Sequence, residues 1–124
     1  MAPRSVTTLA TGKFAEDLAF NYLLQLGLRP LARNYRSHRG EIDIIMQHEK
    51  TIVFIEVRYR KNDHYMSPLE TISSRKCKRI IETSWHYLQS NRNATKNPCR
   101  FDVITISGDQ AEPDIMWIKN AFQA

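Results

Sequence analysis

Cysteine is scarce in this sequence, and long apolar segments are missing from it. The two cysteines, Cys77 and Cys99, are too few and too far apart for a disulfide scaffold or a zinc cluster. No apolar run approaches the roughly 20 residues of a membrane span, and the opening residues lack the apolar core of a signal peptide. We therefore expect a cytoplasmic protein, with no membrane partner, whose cysteines are reduced and at least partly buried.

Repeats, low-complexity segments and metal-binding histidine patterns are also missing. His38, His48, His64 and His86 show no ligand spacing, and Glu49 falls in a predicted turn, so we expect all of them at the surface. The composition is that of a soluble globular protein, with 42% apolar and 25% charged residues. A chain of 124 residues predicts one domain, preceded by an N-terminal tail over residues 1–10.

The region from residue 40 to residue 61 organises the rest of the chain. Two runs rich in Ile, Val, Phe and Met flank a polar break at His48-Glu49-Lys50, which predicts a β-hairpin. With a two-residue loop at Glu49-Lys50, Asp43 lies opposite Glu56. Opposed residues lie about 4.5–5.5 Å apart at Cβ, so these carboxylates repel unless a cation separates them. The simplest such cation is a divalent metal.

Side-chain alternation divides the first strand of this hairpin between two faces. The predicted faces are Glu41, Asp43 and Ile45 on one side, and Ile42, Ile44 and Met46 on the other. Glu41 is then either a third acid of the site or a partner for Arg36 or Arg60 across the strands.

Positive charge surrounds the paired acids along the chain. The net charge of +5 favours an anionic partner. Ten of the 18 basic residues flank the pair, namely Arg33, Arg36, Arg39, Arg58, Arg60, Lys61, Arg75, Lys76, Lys78 and Arg79. They form either a cationic surface for a phosphate backbone around an acidic pocket, or simply a solvated basic face.

The remaining elements follow from periodicity and from turn residues. The predicted order is a helix over 11–27, a strand over 28–36, the hairpin, a loop over 61–72, a helix from Ser73 or Ser74 to about Ser90, a polar connector, and strands over 100–106 and 115–118. Thr11 is the predicted N-cap and Gly27 the C′ glycine of the first helix. The order α-β-β-β-α-β-β predicts an α/β domain, a mixed sheet flanked by helices.

The two helices contribute further site candidates. Glu16 lies on the flank of the first helix's apolar stripe, where it is either a solvated glutamate or a carboxylate that reaches the site. Lys76 and Lys78 lie on opposite flanks of the apolar stripe of the second helix, so one of them can overhang the sheet. The inner stripe of that helix is predicted to be Cys77, Ile80, Ile81, Ser84, Trp85 and Leu88.

Three other residues are predicted to be structural. Trp85 and Trp117 sit in apolar patterns and are expected in the core. Asp102 interrupts an otherwise apolar strand, and we expect it to anchor Arg100 or a backbone amide.

An Asp followed by a Glu-x-basic tripeptide on the next strand is an arrangement that suits phosphodiester hydrolysis. Asp43, Glu56 and the carbonyl of Val57 would hold Mg²⁺ with several waters retained. The metal would polarise the phosphoryl oxygen and activate water. Arg58, two positions after Glu56, would stabilise that water or the developing negative charge.

On these residues and several further segments the chain resembles the YraN-type family of small bacterial proteins. The matching stretches are Gly12-Lys13-Phe14-Ala15-Glu16, Asn34-Tyr35-Arg36, Gly40-Glu41-Ile42-Asp43, Phe54-Ile55-Glu56-Val57-Arg58-Tyr59-Arg60, Lys76, Arg100-Phe101-Asp102-Val103 and Trp117-Ile118-Lys119-Asn120-Ala121-Phe122. That family is similar to the Holliday-junction-resolvase branch of the PD-(D/E)XK, restriction-endonuclease-like nucleases. The resemblance implies that fold, with Asp43 and Glu56 as ligands of Mg²⁺ or Mn²⁺ and Glu16 as an added helix carboxylate.

One residue departs from the nuclease pattern, which has lysine where this chain has Arg58. Arginine stays protonated and can bind phosphate, but it cannot act as a base. Lys76 would then supply the second cation of the catalytic set.

Three functions remain open at this stage. The first is a Mg²⁺-dependent, structure-selective DNA endonuclease, active on branched DNA and as a homodimer, with Arg33, Arg36, Arg60, Arg75 and Lys78 on phosphates. The second is a nucleic-acid-binding protein that has lost turnover. The third is a protein-interaction module whose paired acids bind basic partners.

Overall fold

The computed structural model describes residues 4–60, 72–108 and 111–124 of the chain. Its elements are α1 (Arg4–Gln25), β1 (Arg29–Ser37), β2 (Gly40–His48), β3 (Thr51–Arg60), α2 (Ser74–Ser90), a 3₁₀ turn (Arg92–Lys96), β4 (Cys99–Ser107) and β5 (Asp114–Phe122). The predicted order α-β-β-β-α-β-β is confirmed. The architecture is α/β and is consistent with a nuclease-like core.

The five strands form one mixed sheet in the order β1-β2-β3-β4-β5. Neighbouring strands are antiparallel except β3 and β4, which are parallel. A parallel neighbour needs a long crossover, and the segment that carries α2 provides it. The strands therefore follow one another across the sheet as they do along the chain.

The two helices cover opposite faces of the sheet. On the α1 side Ala15, Ala19 and Leu23 pack with a cluster that includes Ile44 and Ile55. On the α2 side Ile80 and Tyr87 pack with Ile42, Ile45, Ile52, Phe54 and Phe101. Strands β2, β3 and β4 are apolar on both faces because each face carries a helix.

Helix α1 begins earlier than its sequence suggests. It starts at Arg4, so Thr11 is not its N-cap and residues 4–10 are helical, where we expected a tail. Its end agrees with the prediction. Gly27 has a φ of +94°, and the N–H groups of Gly27 and Leu28 donate to the carbonyls of Leu24 and Leu23. These bonds form the Schellman motif that a C′ glycine permits.

The register of the central hairpin is as predicted, but one face assignment is wrong. Pairs from His48↔Thr51 to Ile44↔Ile55 follow the two-residue loop at Glu49-Lys50. Ile42, however, packs with Ile45 in the α2 cluster and not with Ile44. The alternation of β2 is therefore interrupted between Ile42 and Ile45, and Asp43 lies in that interruption.

Helix α2 buries part of the predicted stripe. Its N-cap is Ser73, as expected, and Ile80 and Ser84 are buried as predicted. Thr83 and Tyr87 are also buried, although the prediction placed them outside the stripe. The Thr83 and Ser84 hydroxyls can be buried because they donate to the carbonyls of Arg79 and Ile81. Trp85 is 56% exposed, so its assignment to the core is wrong.

The turn between β1 and β2 is seated closely against this helix. A Cβ added at Gly40 would lie 3.3 Å from the Cβ of Arg79 and 3.3 Å from the hydroxyl oxygen of Thr83. Gly40 thus permits a close approach of two backbones, in addition to the turn for which its sequence position suggested it.

Strand β5 is longer than the predicted 115–118. Its C-terminal part is bound to β4 through hydrogen bonds to the carboxylate of Asp102. Asp102 is fully buried and accepts from Arg100 Nε at 3.0 and 3.1 Å, from Trp117 Nε1 at 2.9 Å and from the Asn120 N–H at 2.9 Å. The structural role predicted for Asp102 is observed, with both expected partners. Trp117 is half-buried and ties β5 to this carboxylate.

Three smaller expectations have mixed outcomes. Cys77 and Cys99 are both free thiols, but Cys99 is exposed and not partly buried. The loop predicted over 61–72, with His64, lies outside the described residues except for its last residue. Neither described helix has the length and apolar character needed to cross a membrane.

The Asp102 network leads to a prediction about stability. Asp102→Ala should lower the free energy of unfolding by about 3 kcal/mol, because Arg100 and the Trp117 and Asn120 N–H groups then lose their acceptor in a buried place. Urea unfolding followed by circular dichroism measures this. Asp114→Ala, at the exposed start of β5, is the control and should change it by less than about 0.5 kcal/mol. An equal loss in both variants would contradict the interpretation.

Candidate active site

Strands β2 and β3 separate where the acidic pair lies, and we call the gap between them the fork. Pairing between β2 and β3 ends at Ile44↔Ile55, although β2 continues beside β1 and β3 continues beside β4. Asp43 and Glu56 are the first residues beyond the last pair, so both lie at the fork. The N–H of Val57 donates to Asp43 Oδ2 at 2.8 Å. A side-chain carboxylate therefore takes the place of the next backbone acceptor.

The fork also directs a backbone carbonyl at the acids. The N–H and C=O of one strand residue point to the same neighbouring strand. Because the Val57 N–H points at Asp43, its carbonyl faces the fork as well. The fork thus gathers oxygen atoms from Asp43, Glu56 and Val57, the three groups that the sequence predicted as metal ligands.

Asp43 and Glu56 are close enough to change each other's ionisation. Burial, the negative charge of Glu56 and a hydrogen bond between the two side chains raise the pKa of Asp43 to about 8. The N–H of Val57 acts in the opposite direction but does not offset them. Glu56 is only 3% exposed. Near neutral pH the free pair therefore retains a proton, which a bound cation would displace.

Two cationic side chains lie close to Glu56, the more buried acid of the pair. Lys76 Nζ lies 3.1 Å and Arg58 Nη1 lies 3.5 Å from the same Glu56 oxygen. Lys76 belongs to the first turn of α2, where its N–H donates to the Ser73 hydroxyl at the cap. The cap therefore fixes the start of the helix that carries this ammonium to the fork. Both side chains remain partly open to solvent, where a phosphate can reach them.

Glu16 approaches the pair from the opposite layer. It is half-buried on α1, and its charge is one of the causes that raise the pKa of Asp43. The Asn34 amide donates to Glu16 Oε1 at 2.8 Å. Asn34 has a φ of +50°, which asparagine tolerates better than most residues. The irregular backbone of β1 thus places an amide that orients the helix carboxylate.

The donor set of the fork fits a small divalent cation. Mg²⁺ commonly uses one or two carboxylates and retains several waters. Across the described ranges, no three side chains of His, Cys, Asp or Glu come together as a closed metal cage. The fork instead offers two carboxylates and a backbone carbonyl, which suits a cation that shares its coordination with water and substrate.

The basic residues predicted to bind nucleic acid lie in separate places around the fork. Arg33 and Arg36 line a cleft of about 520 Å³ with Glu16, and they pair with Asp17 at 2.8 Å and Glu41 at 3.1 Å. Arg33 lowers the pKa of Asp17 by hydrogen bonding. Glu41 thus pairs with Arg36, one of the two alternatives predicted for it.

The other basic residues lie on the α2 side and at the end of β3. Arg75 and Lys78 line a second cleft with Arg39 and Arg79, between α2 and the β1–β2 turn. Arg60 is the last residue of β3 and is half-buried. The structure thus brings Asp43, Glu56, Arg58 and Lys76 together, with Glu16 nearby, and leaves the other cations around them.

Two residues of this region were missed by sequence reasoning. Nothing in the pattern of β1 signals that Asn34 holds Glu16, since an asparagine in a strand usually signals a turn. Trp85 was assigned to the core because it falls in an apolar stripe. Thr83 and Tyr87, which lie outside the predicted stripe, are buried instead, and both carry hydroxyl groups that a hydrophobicity pattern places outside.

Comparison with known proteins gives a consistent result. The model of an uncharacterised protein family, UPF0102, matches residues 15–106. A UPF0102 protein of Nitrosococcus oceani is 43% identical over 112 residues, covering 90% of each chain. One of Legionella pneumophila (strain Corby) is 45% identical over 117 residues, covering 94% of this chain and 98% of the relative. A Coxiella burnetii relative (strain RSA 493) is 42% identical, covering 94% of each.

The raised pKa of Asp43 predicts a pH-dependent gain of stability in Asp43→Asn. Below about pH 3 the carboxyl group is protonated in the folded and in the unfolded chain, so it does not discriminate between them. As pH rises from 3.8 to about 8, unfolding releases its proton, and the wild type loses stability. Asparagine can keep the Val57 bond and donate to Glu56 without this loss. At pH 9 in metal-free buffer the variant should be more stable by over about 1 kcal/mol.

Thermal unfolding between pH 4 and pH 9 measures this difference. Glu41→Gln, on the same strand, is the control and should show no comparable rise across that range. A variant advantage that is equal at pH 4 and pH 9 would contradict the shared-proton interpretation of the fork.

Proposed function

The chain belongs to the uncharacterised protein family UPF0102, and from its forked acidic site we propose that it is a Mg²⁺-dependent DNA endonuclease of the cytoplasm. It would hydrolyse phosphodiester bonds, and Mn²⁺ would replace Mg²⁺. The observation that carries the proposal is the pair Asp43–Glu56 with the Lys76 ammonium 3.1 Å from Glu56.

The acidic pair is difficult to explain as a stabilising feature. An acid whose pKa is raised to about 8 destabilises the folded chain at neutral pH. Asp102, by contrast, is a buried acid that accepts hydrogen bonds from three donors, Arg100 Nε, Trp117 Nε1 and the Asn120 N–H. The fork thus retains an unfavourable carboxylate that a structural role does not require, and such sites are common where catalysis takes place.

The residues of the fork have distinct roles in this proposal. When bound, Mg²⁺ neutralises the carboxylates and withdraws electron density from the scissile phosphate. Asp43 and Glu56 hold that ion, with the Val57 carbonyl. Lys76 and Arg58 turn from Glu56 to the phosphate oxygens and stabilise the charge that develops on them. Glu16, held by Asn34, orients the attacking water.

The surrounding cations would position the DNA. Arg75 and Lys78 on one side of the fork, and Arg33 and Arg36 on the other, would contact phosphates, with Arg60 at the end of β3. Such contacts align a duplex without reading its sequence. Selectivity for branched DNA and cutting by a homodimer are part of the proposal, and they rest on the resemblance to Holliday-junction resolvases.

The arginine at position 58 favours a second candidate function, in which the protein binds DNA but does not cleave it. The guanidinium lies 3.5 Å from Glu56 where nucleases of this pattern have lysine. Because arginine cannot accept a proton, activity depends on Lys76 and the metal.

Cleavage assays on branched and linear DNA distinguish the two candidates. In the presence of Mg²⁺ or Mn²⁺, Asp43→Asn and Glu56→Gln should abolish cleavage while DNA binding is retained or improved, because each change removes a negative charge. Lys76→Ala should lower the rate by about 100-fold. Arg58→Lys should preserve or raise it.

The surface acid Glu41 provides the matched control, since Glu41→Gln should cleave at the wild-type rate. Absence of cleavage by the wild type with either metal, without rescue by Arg58→Lys, would support the binding-only candidate. Wild-type cleavage that survives Asp43→Asn would show that the fork is not the active site.

DNA affinity should depend steeply on salt, because phosphate contacts release counterions. Replacing Arg75 and Lys78 together by Glu should reduce the slope of log affinity against log salt concentration by roughly two. Fluorescence anisotropy with a labelled duplex measures it. Arg29→Glu together with Lys50→Glu, at the opposite end of the sheet from the β1–β2 turn, makes the same change in net charge and should change the slope by less than one. No affinity at low salt would favour a protein-interaction module.

A further inference from the structure

Helix α2 carries a tryptophan on the side that faces away from the sheet. Trp85 is 56% exposed, whereas Tyr87, two residues later, is 7% exposed and packs edge-on against Phe54. Within the described part of the chain, the ring contacts do not include Trp85. An indole this open leaves a large apolar surface in water, so its position requires an explanation beyond packing.

Trp85 forms one wall of a groove of about 440 Å³ between α2 and the β1–β2 turn. Ile81 adds a second apolar surface, and Lys78 and Arg39 contribute positive charge. His86 borders the groove and is hydrogen-bonded through Nδ1 to the Tyr35 hydroxyl, so its ring is held in place. The groove therefore combines an aromatic platform, hydrogen-bonding groups and cations.

The groove is continuous with the basic cleft at the start of α2. The two share Arg39, Lys78 and Glu82, and the cleft adds Arg75 and Arg79. Glu82 is the acid in this set, and its carboxylate is paired with Arg39 at 3.4 Å. The remaining positive charge is not matched within the two clefts, so their occupant should be anionic.

We propose that Trp85 is the stacking platform for an unpaired base of the DNA that the fork acts on. Aromatic side chains beside a basic groove are the common way in which proteins hold single-stranded nucleic acid. The inference rests on the proposed function and extends it, because it gives the substrate class: DNA in which duplex adjoins an unpaired segment.

The spacing along α2 is suited to this arrangement. Lys76, at the fork, and Trp85 are nine residues apart, which corresponds to about 14 Å along a helix axis. At 3.6 residues per turn the same nine residues also turn the helix by about half a revolution, and Arg79, Arg75 and Lys78 lie around the helix between the two side chains. A strand whose phosphate enters the fork can therefore follow these cations, and a base a few nucleotides away reaches the indole.

Binding of matched DNAs by the full chain tests the proposal. We would compare a blunt duplex with the same duplex carrying a 3′ or a 5′ thymidine overhang, at low salt and without metal. The overhang should strengthen binding and quench tryptophan fluorescence. In Trp85→Ala the quenching should disappear, and the ratio of overhang to blunt affinity should fall at least about fivefold, towards one. Trp85→Phe, which retains a ring, should keep part of that ratio.

Met116→Ala is the matched control, because Met116 is also an exposed large apolar residue, at 52% exposure, and lies on β5. It should keep both the quenching and the affinity ratio. Equal affinities for both DNAs, with no effect of Trp85→Ala, would overturn the stacking site and leave the endonuclease proposal standing. An overhang preference that Trp85→Ala does not lower would likewise overturn the stacking site, because the unpaired bases would then be held elsewhere. Failure to bind any of these DNAs would overturn both proposals.

Discussion

Two carboxylates that repel each other occupy the point where β2 and β3 part, and the rest of the fold is arranged around that contact. The hairpin register brings Asp43 and Glu56 to the same place, and the end of strand pairing makes room for their side chains. Without the fork, backbone bonds would continue between the strands and the Val57 N–H would have a carbonyl partner. Burial and the charge of Glu56 raise the pKa of Asp43, and the proton that Asp43 therefore retains, with the ammonium of Lys76, reduces the repulsion within the pair.

The sheet and both helices contribute to the environment of the two acids. The apolar cores on both faces fix α1 and α2 against the sheet, so that Glu16 and Lys76 approach the fork from opposite sides. The Asp102 network holds β5 to β4. Rigidity thus comes from apolar packing and from one fully satisfied buried acid, while the fork keeps acids whose charges are not fully matched.

Much of this arrangement follows from the sequence, because the strands are short and strongly patterned. The two-residue loop at Glu49-Lys50 determines the register, and the register determines that Asp43 faces Glu56. The sequence does not reveal that pairing ends at Ile44, because an irregularity in β1 and β2 depends on contacts with α1. The left-handed backbone of Asn34 is part of that irregularity. One edge of the buried stripe of α2 was misassigned for a different reason: the Thr83 hydroxyl bonds to its own helix and can be buried, so apolar periodicity placed Trp85 in the core instead.

The close seating of α2 at Gly40 has a mechanical consequence. The helix is a single rigid body of 17 residues whose start carries Lys76 and whose outer side carries Trp85. The β1–β2 turn approaches it at Arg79 and Thr83, between those two points, and leaves little room for a side chain at position 40. A larger residue there would press on the helix and so disturb the positions of both the ammonium and the indole. One glycine in the turn thus sets how closely both ends of the helix sit against the sheet.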